Sequence, residues 1–394
     1  MLKKLGGFLK SNPNKILFVF VSGVIFFFLY MFRLGGFIRG DSVYETPKYL
    51  NIMHADDLLK NLVFGPIKFL DFLMLKIDQP NSTLFRLISV FVVALSLVLF
   101  YRLILKWQTQ RIAVISTAML GTSSFVLGAG RFTFQDTVYL LIIPSLLLIG
   151  TWLRTKKYVK RIFFAFPATA VFMYFPGFLL FFLFFIFVFR KRLLAAWRFS
   201  DPRIRIVSIA SGLLILVPMI YGLFKFPKQY DFLLGIDRFL NSGISEVFES
   251  LIHIPKQLFI SGINNPLQIL VGSPIIDIVT IIFMGLGIFA YTKSEHTLRA
   301  RMLFGLIIVS VVSMSLSSQV SFGLILPLIY IFASKGIAFL LQNWFTVFPR
   351  NPAARNLGVT LIFIPIILSI FYNTNRYFFA WPESPETIKV LSEK

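Results

Sequence analysis

The chain has 394 residues, of which 57% are hydrophobic and only 14% charged, and a mean hydropathy of +0.80; it is too apolar for a water-soluble fold of this length, so lipid is its main solvent. A formal charge of +22 suggests nucleic acid as a partner, but the Lys and Arg residues stand in short clusters between apolar runs rather than along an amphipathic stripe, which argues against that reading. The absence of cysteine excludes disulfides, thiolate metal sites and cysteine nucleophiles.

Apolar runs rich in Leu and Ile, with 48 Phe residues in the chain, are long enough to cross about 30 Å of hydrocarbon, and a backbone in lipid must satisfy its own hydrogen bonds. The short alternating segments of a β-barrel are missing. The expected fold is therefore all-α, a polytopic transmembrane helical bundle. Lys3, Lys4, Lys10 and Lys15 precede the first run at 16–34, which is long for a signal-peptide core and has no small-residue cleavage site before Asp41. It reads as a retained first span. Further runs fall at 84–105, 112–129, 136–153, 162–175, 176–189, 204–224, 274–292, 302–318, 321–343 and 357–372, giving about eleven spans in a single transmembrane domain over 1–394. The fifth and sixth are short and meet at Tyr174-Phe175-Pro176-Gly177, the signature of a tight hairpin or a broken helix.

Alternate connections are basic. The N-terminal tail is followed by Arg102/Lys106/Arg111, then Arg154/Lys156/Lys157/Lys160/Arg161. On the same side come Arg190/Lys191/Arg192/Arg198/Arg203/Arg205, Lys293/Arg299/Arg301 and Arg350/Arg355, together more than half of the 39 basic residues. The positive-inside rule makes this side, and the N-terminus, cytoplasmic. All of the 17 acidic residues except Asp201 and Glu295 fall outside, at external helix ends or in the short external tail 373–394. Insertion does not require that second asymmetry. It is compatible with a solvated surface, with cation binding or with acid/base chemistry.

Two external segments are long, 35–83 and 225–273, and function is expected there. Apolar residues recur at helical spacing from Leu58 to Ile77, with Lys60, Asp71 and Lys76 among them, which suggests a helix lying in the membrane interface. Tyr230 to Ile252 has the same character.

Three constellations carry chemistry. In Arg39-Gly40-Asp41-Ser42-Val43-Tyr44-Glu45, just outside the first span, a helical conformation would put Asp41 and Glu45 on one face. A partly desolvated carboxylate there has the makings of a general base toward a hydroxyl; the plainer alternative is a solvated cap. In His54-Ala55-Asp56-Asp57 the adjacent acids suit either a divalent cation or a helix N-terminus. The histidines, His54, His253 and His296, have no zinc spacing, so no metal site is assigned although a divalent cation stays open. In Arg131-Phe132-Thr133-Phe134-Gln135-Asp136 an Arg and an Asp share a short external turn. Arg131 suits an anionic head group, since guanidinium matches phosphate oxygens, or else an ion pair anchoring the turn. Lys335, inside the tenth run, is expected to snorkel toward the cytoplasmic side.

The order of these features resembles the GT-C class of integral-membrane glycosyltransferases, specifically the protein O-mannosyltransferases and the aminoarabinose lipid A transferase. The matches are a retained first helix, a large external loop opening on Asp41 and Glu45, and interfacial helices. Next come Arg86-Leu87-Ile88-Ser89 at the start of the second span, Tyr101 and a basic-aromatic turn through Trp107. The turn holding Arg131 and Asp136 and the late Leu326-Pro327 run complete the series, which is best over 16–160. The resemblance implies a GT-C-like fold in a bacterial plasma membrane. It also implies transfer of a sugar from a polyprenyl-phosphate donor to an acceptor at the outer face, with membrane lipid as surroundings and Asp41 as base. Arg131 and Asp136 would shape the site or bind the donor phosphate, with Glu45, His54, Asp56 and Asp57 in the substrate-binding region. A transporter or flippase of lipid-linked intermediates, a polymerase or ligase of lipid-linked glycans, and a scaffold without chemistry are the alternatives. Transporters concentrate polar residues at mid-membrane, whereas here they gather in two external segments. The enzyme reading expects Asp41, Asp56 or Asp57, Arg131 and Asp136 to converge at the external boundary.

Overall fold

Several helix starts are written in short polar signals. Asp201 before Pro202 and Asn351 before Pro352 each accept a hydrogen bond from a first-turn amide, Arg203 N at 2.9 Å and Ala354 N at 3.1 Å, and the proline occupies a position whose N–H would have had no partner. A computed structural model describes residues 21–34, 55–77, 82–132, 135–153, 165–293 and 297–392, and no strand occurs among them.

The helices follow the apolar runs. They are α1 (Val21–Met31), α2 (Ala55–Lys60), α3 (Gly65–Ile77), α4 (Ser82–Trp107), α5 (Gln110–Thr122), α6 (Ser124–Arg131), α7 (Tyr139–Trp152), α8 (Ala165–Phe172) and α9 (Phe178–Phe199). Then come α10 (Pro202–Lys225), α11 (Tyr230–Leu234), α12 (Asp237–Lys256), α13 (Ile278–Thr292), α14 (Thr297–Leu316), α15 (Leu326–Val347), α16 (Pro352–Asn375) and α17 (Pro385–Ser392). Among the described residues five helical stretches, built on α4, α10, α14, α15 and α16, are long and apolar enough to cross a membrane, and a sixth crossing is made if α5 and α6 act as one. The chain thus has the character of an integral membrane protein. Helices α1, α7 and α13 are apolar but shorter.

Two runs expected to be continuous are broken. The run 112–129 bends by 64° between α5 and α6. Ser123 turns extended there and its hydroxyl accepts from Val126 N, the competition with helical bonding that serine offers. The interfacial helix expected over 58–77 is two helices, α2 and α3, separated at 61–64, where Phe64 adopts a left-handed φ of 60°. Hydrogen bonds from elsewhere hold that conformation: Phe64 N donates to Tyr174 O at 3.0 Å and Leu62 N to Gln229 Oε1 at 2.6 Å. At Tyr174-Phe175-Pro176-Gly177 the chain makes a hairpin, since Phe166 at the start of α8 meets Trp197 near the end of α9.

Helix α15 forms the middle of the bundle and is buried along most of its length. It crosses α13 where Gly287 faces Phe332 O and Gly336 faces Phe283 O; a methyl group on either glycine would overlap the opposing backbone. Small residues permit this approach where lipid offers helices no hydrophobic drive to associate. Helices α10 and α16 lie at the periphery, with rows of exposed Ile, Leu and Phe.

Contacts between helix ends sort them into two poles. At one, Lys106 donates to Thr151 Oγ1, Arg299 lies over Trp107 and Lys335 reaches Tyr291. This basic end also holds Arg190 to Arg205 and Arg355, and Asp201 is the one acid there among the described residues. At the far end meet Leu34, the start of α4, the end of α6, the start of α7, the hairpin tip, and the described parts of the segments expected to be external.

Candidate functional site at the far end

The far end is built on arginines that sequence would place at the edge of lipid. Arg86, in the first turns of α4, is 1% exposed and donates to Leu34 O. Arg131, the last residue of α6, is 2% exposed and donates to Leu29 O and Phe32 O at 2.9 and 3.0 Å. The last carbonyls of a helix have no partner within it, so the two guanidinium groups close the end of α1. From there the chain runs on toward Asp41. Their faces lie against rings, Arg86 over Phe132 and Arg131 over Phe378, and Phe132 in turn meets Trp381 edge-on.

A third arginine repeats the arrangement. Arg376 follows α16, is 3% exposed, and donates to Ser273 O at 2.9 Å and to Pro274 O; this pins the segment leading into α13. Beside it Asp277 begins α13, accepting from Thr280 N at 3.0 Å, Thr280 Oγ1 at 2.7 Å and Asn373 Nδ2 at 3.0 Å. Asn373 Oδ1 accepts from Ser124 N at 3.4 Å, at the bend between α5 and α6. A carboxylate buried this deeply costs stability unless its oxygens are hydrogen-bonded, and here three donors serve it.

The two long segments are tied together over this floor. Gln229 bridges them, receiving Leu62 N and donating to Leu59 O at 3.1 Å. Gly235, with a φ of 71° that side-chain-bearing residues avoid, lets α11 close against the backbone of Gly177 at the hairpin tip. Asp237 then accepts from Ser318 N and Ser318 Oγ at 3.1 and 2.6 Å, and Arg238 donates to Ser250 Oγ and to the carbonyls of Met314 and Ser315. Helix α12 runs from this clasp along α14. The helix bends at Gly243, which brings Ser250 back to Arg238; beyond the bend Val247 and Ile254 are buried, while Ile244, Phe248 and Ile252 form an exposed apolar stripe.

Helix α3 carries Lys68 and Asp71, 7% and 5% exposed. Burial pushes the Asp71 carboxyl up to about 7, with Lys68 working against the shift. Burial also brings the Lys68 ammonium down to about 8, opposed by Asp71. A carboxyl that titrates near neutrality is able to exchange protons at working pH.

Of the residues singled out from sequence, Asp41, Glu45 and His54 lie outside the described residues. Asp56 and Asp57 fall at the start of α2, and Asp136 in the 3-10 turn Gln135–Val138, which Thr137 ties to Ala129 O at 3.0 Å. All three backbone positions belong to the far end, as does Arg131. The two terminal amino groups of Arg131 face carbonyls of the protein's own first helix. Among the described residues no three His, Asp or Glu side chains cluster as a metal site would need. The clamp at Arg376, the Asp277 to Asn373 bridge, the Asp237 to Ser318 clasp and the Lys68/Asp71 pair were not among the expected residues. A visible signal existed for one of them, the Asp-x-x-Thr cap at 277–280. No known protein family matches the chain, and no curated protein or solved structure matches it.

Proposed function

We propose that this protein is a membrane glycosyltransferase of the GT-C type, with about eleven spans, a cytoplasmic N-terminus and a place in a bacterial plasma membrane. It would move a sugar from a polyprenyl-phosphate donor to an acceptor at the outer face. The observation that carries the reading is the root of the first long segment: Arg86 and Arg131 close the end of α1, making a buried platform beside the turn that holds Asp136, and Asp41 follows Leu34 by seven residues in the sequence. Preorganisation of this kind suits a site where a lipid-borne donor meets a surface acceptor.

In the transfer, an acceptor hydroxyl oxygen bonds to the anomeric carbon of the sugar while the bond from that carbon to the donor phosphate oxygen breaks. The leaving phosphate takes the electron pair, and the Asp41 carboxylate takes the hydroxyl proton. Glu45, His54, Asp56, Asp57 and Asp136 are assigned to binding the substrate, and Arg131, engaged on the carbonyls of Leu29 and Phe32, to shaping the region. In proteoliposomes given a labelled polyprenyl-phosphate sugar, Asp41→Asn is expected to lower transfer by about 10²–10⁴-fold, the usual contribution of a general base, with unchanged abundance in the membrane. Undiminished transfer would remove Asp41 from the role.

The break between α5 and α6 supports a second reading, a transporter or flippase of lipid-linked glycans. Discontinuous helices beside buried polar groups are how such proteins build their sites, and Ser124, Asn373 and Asp277 meet at this break. Movement of a labelled lipid-linked sugar across vesicles without its transfer to an acceptor would favour this second reading.

A further inference from the structure

A groove of about 470 Å³ opens at the basic end between α8, α9 and α10. Its walls are almost wholly apolar, with Phe166, Phe182, Phe185 and Leu194 among them, and two cations line it, Arg190 and Arg205. Arg190 to Phe182 is eight residues along α9, about 12 Å at 1.5 Å per residue, close to the depth of one leaflet's chains in a hydrocarbon core about 30 Å thick. Outside the groove the neighbouring surface faces lipid: Phe187 is 70% exposed and Ile206 67%.

The cations are set for an anion. Arg205 is half-buried, stacks on Trp197 at 5.4 Å, and its buried Nε has no hydrogen-bond partner. Arg190 is exposed and also lines the groove, about 10 Å along α9 from Trp197 at 1.5 Å per residue, with its guanidinium over Phe187. Among the described residues no carboxylate lines the groove. An apolar slot as deep as a leaflet, with unneutralised guanidinium groups where head groups lie, matches a phosphate ester carrying acyl chains.

We propose that this groove binds an anionic diacyl phospholipid of the leaflet at the basic end, its phosphate at Arg205 with Arg190 adding positive charge along the same wall, and its chains against Phe166, Phe182 and Phe185. The site lies at the opposite end of the bundle from the proposed transfer reaction and does not depend on it. Occupation of such a slot would stabilise the folded chain by mass action and make its stability depend on lipid composition.

Trp197, which lines the groove, provides the test. The full chain, one copy per nanodisc, is titrated with phosphatidylglycerol or phosphatidylcholine brominated on the upper acyl carbons, and the Trp197 contribution is isolated by difference from Trp197→Phe. Phosphatidylglycerol is expected to reach half-maximal quenching at an about tenfold lower mole fraction, given two arginines at the surface. Arg190→Gln with Arg205→Gln should abolish that preference. Arg190→Lys with Arg205→Lys should retain most of it, which guards against a mere folding defect. Equal quenching by the two lipids, or a preference unchanged in the Gln variant, would overturn the proposal. So would absence of quenching by either lipid.

Discussion

At the basic end Arg190, Arg205, Arg299 and Arg355 lay their guanidinium groups over Phe187, Trp197, Trp107 and Phe345, whereas at the far end Arg86, Arg131 and Arg376 are buried and aimed at main-chain carbonyls. The same side chain thus does two jobs. Stacked at a membrane surface, a cation orients the chain and meets head groups, and any one of several neighbours can do that. Buried on a carbonyl, it holds one particular chain segment in one place, and no neighbour replaces it.

Substitutions can break this contrast or sharpen it. The largest effect is expected from Arg131→Ala, which strips two buried carbonyls of their donor. It should lower stability by about 3 kcal/mol, read as a drop in the thermal midpoint of the purified protein in detergent. Next comes Asp277→Ala, which removes the cap of α13 and the bridge to Asn373, at about 2 kcal/mol by the same measurement. If either variant melts like the parent, the far end is not the clamped platform described above.

A smaller effect concerns pH. The Asp71 carboxyl keeps its proton in the folded protein until about pH 7, against an ordinary value of 3.8. The folded state therefore holds a proton that the unfolded chain has lost, and stability should fall as pH rises from about 4 to 7. Lys68 gives up its proton at about 8 instead of 10.5, so stability should recover between those values. The minimum at pH 7 to 8 should be shallow, on the order of 1 kcal/mol once partial solvation is allowed for. Asp71→Asn should remove the acid-side slope and leave the alkaline one. Smallest of all, Arg190→Gln at the basic end should shift stability by less than about 0.5 kcal/mol; a loss as large as that of Arg131→Ala would erase the distinction between the two ends.

The five long apolar helices, out of about eleven expected spans, were legible in the sequence because crossing lipid imposes length and composition on each. The hairpin at Tyr174-Phe175-Pro176-Gly177 and the helical spacing within 230–252 were legible for similarly local reasons. The break at Ser123 was not, since serine is acceptable within a helix and the bend is held by Asn373, far along the chain. Likewise Phe64 carries no local signal for a positive φ; Tyr174 and Gln229 impose it from distant segments. At the candidate site the sequence pointed to Arg131 as a charge at the membrane edge, but its carbonyl partners belong to α1 and can be read only from the fold. Arg376 and Asp237 escaped for the same reason, because what identifies them is the segment each one holds.

The claim on which the rest depends is that the two ends face opposite sides of the membrane. The chain has no cysteine, so single cysteines report without interference. Glu249, whose side chain is 70% exposed on α12, and the exposed Arg203 at the start of α10 mark the two ends. With a membrane-impermeant maleimide, Glu249→Cys is expected to label in intact cells and Arg203→Cys only after the membrane is opened. Labelling of both in intact cells, or the reverse order, would contradict the account.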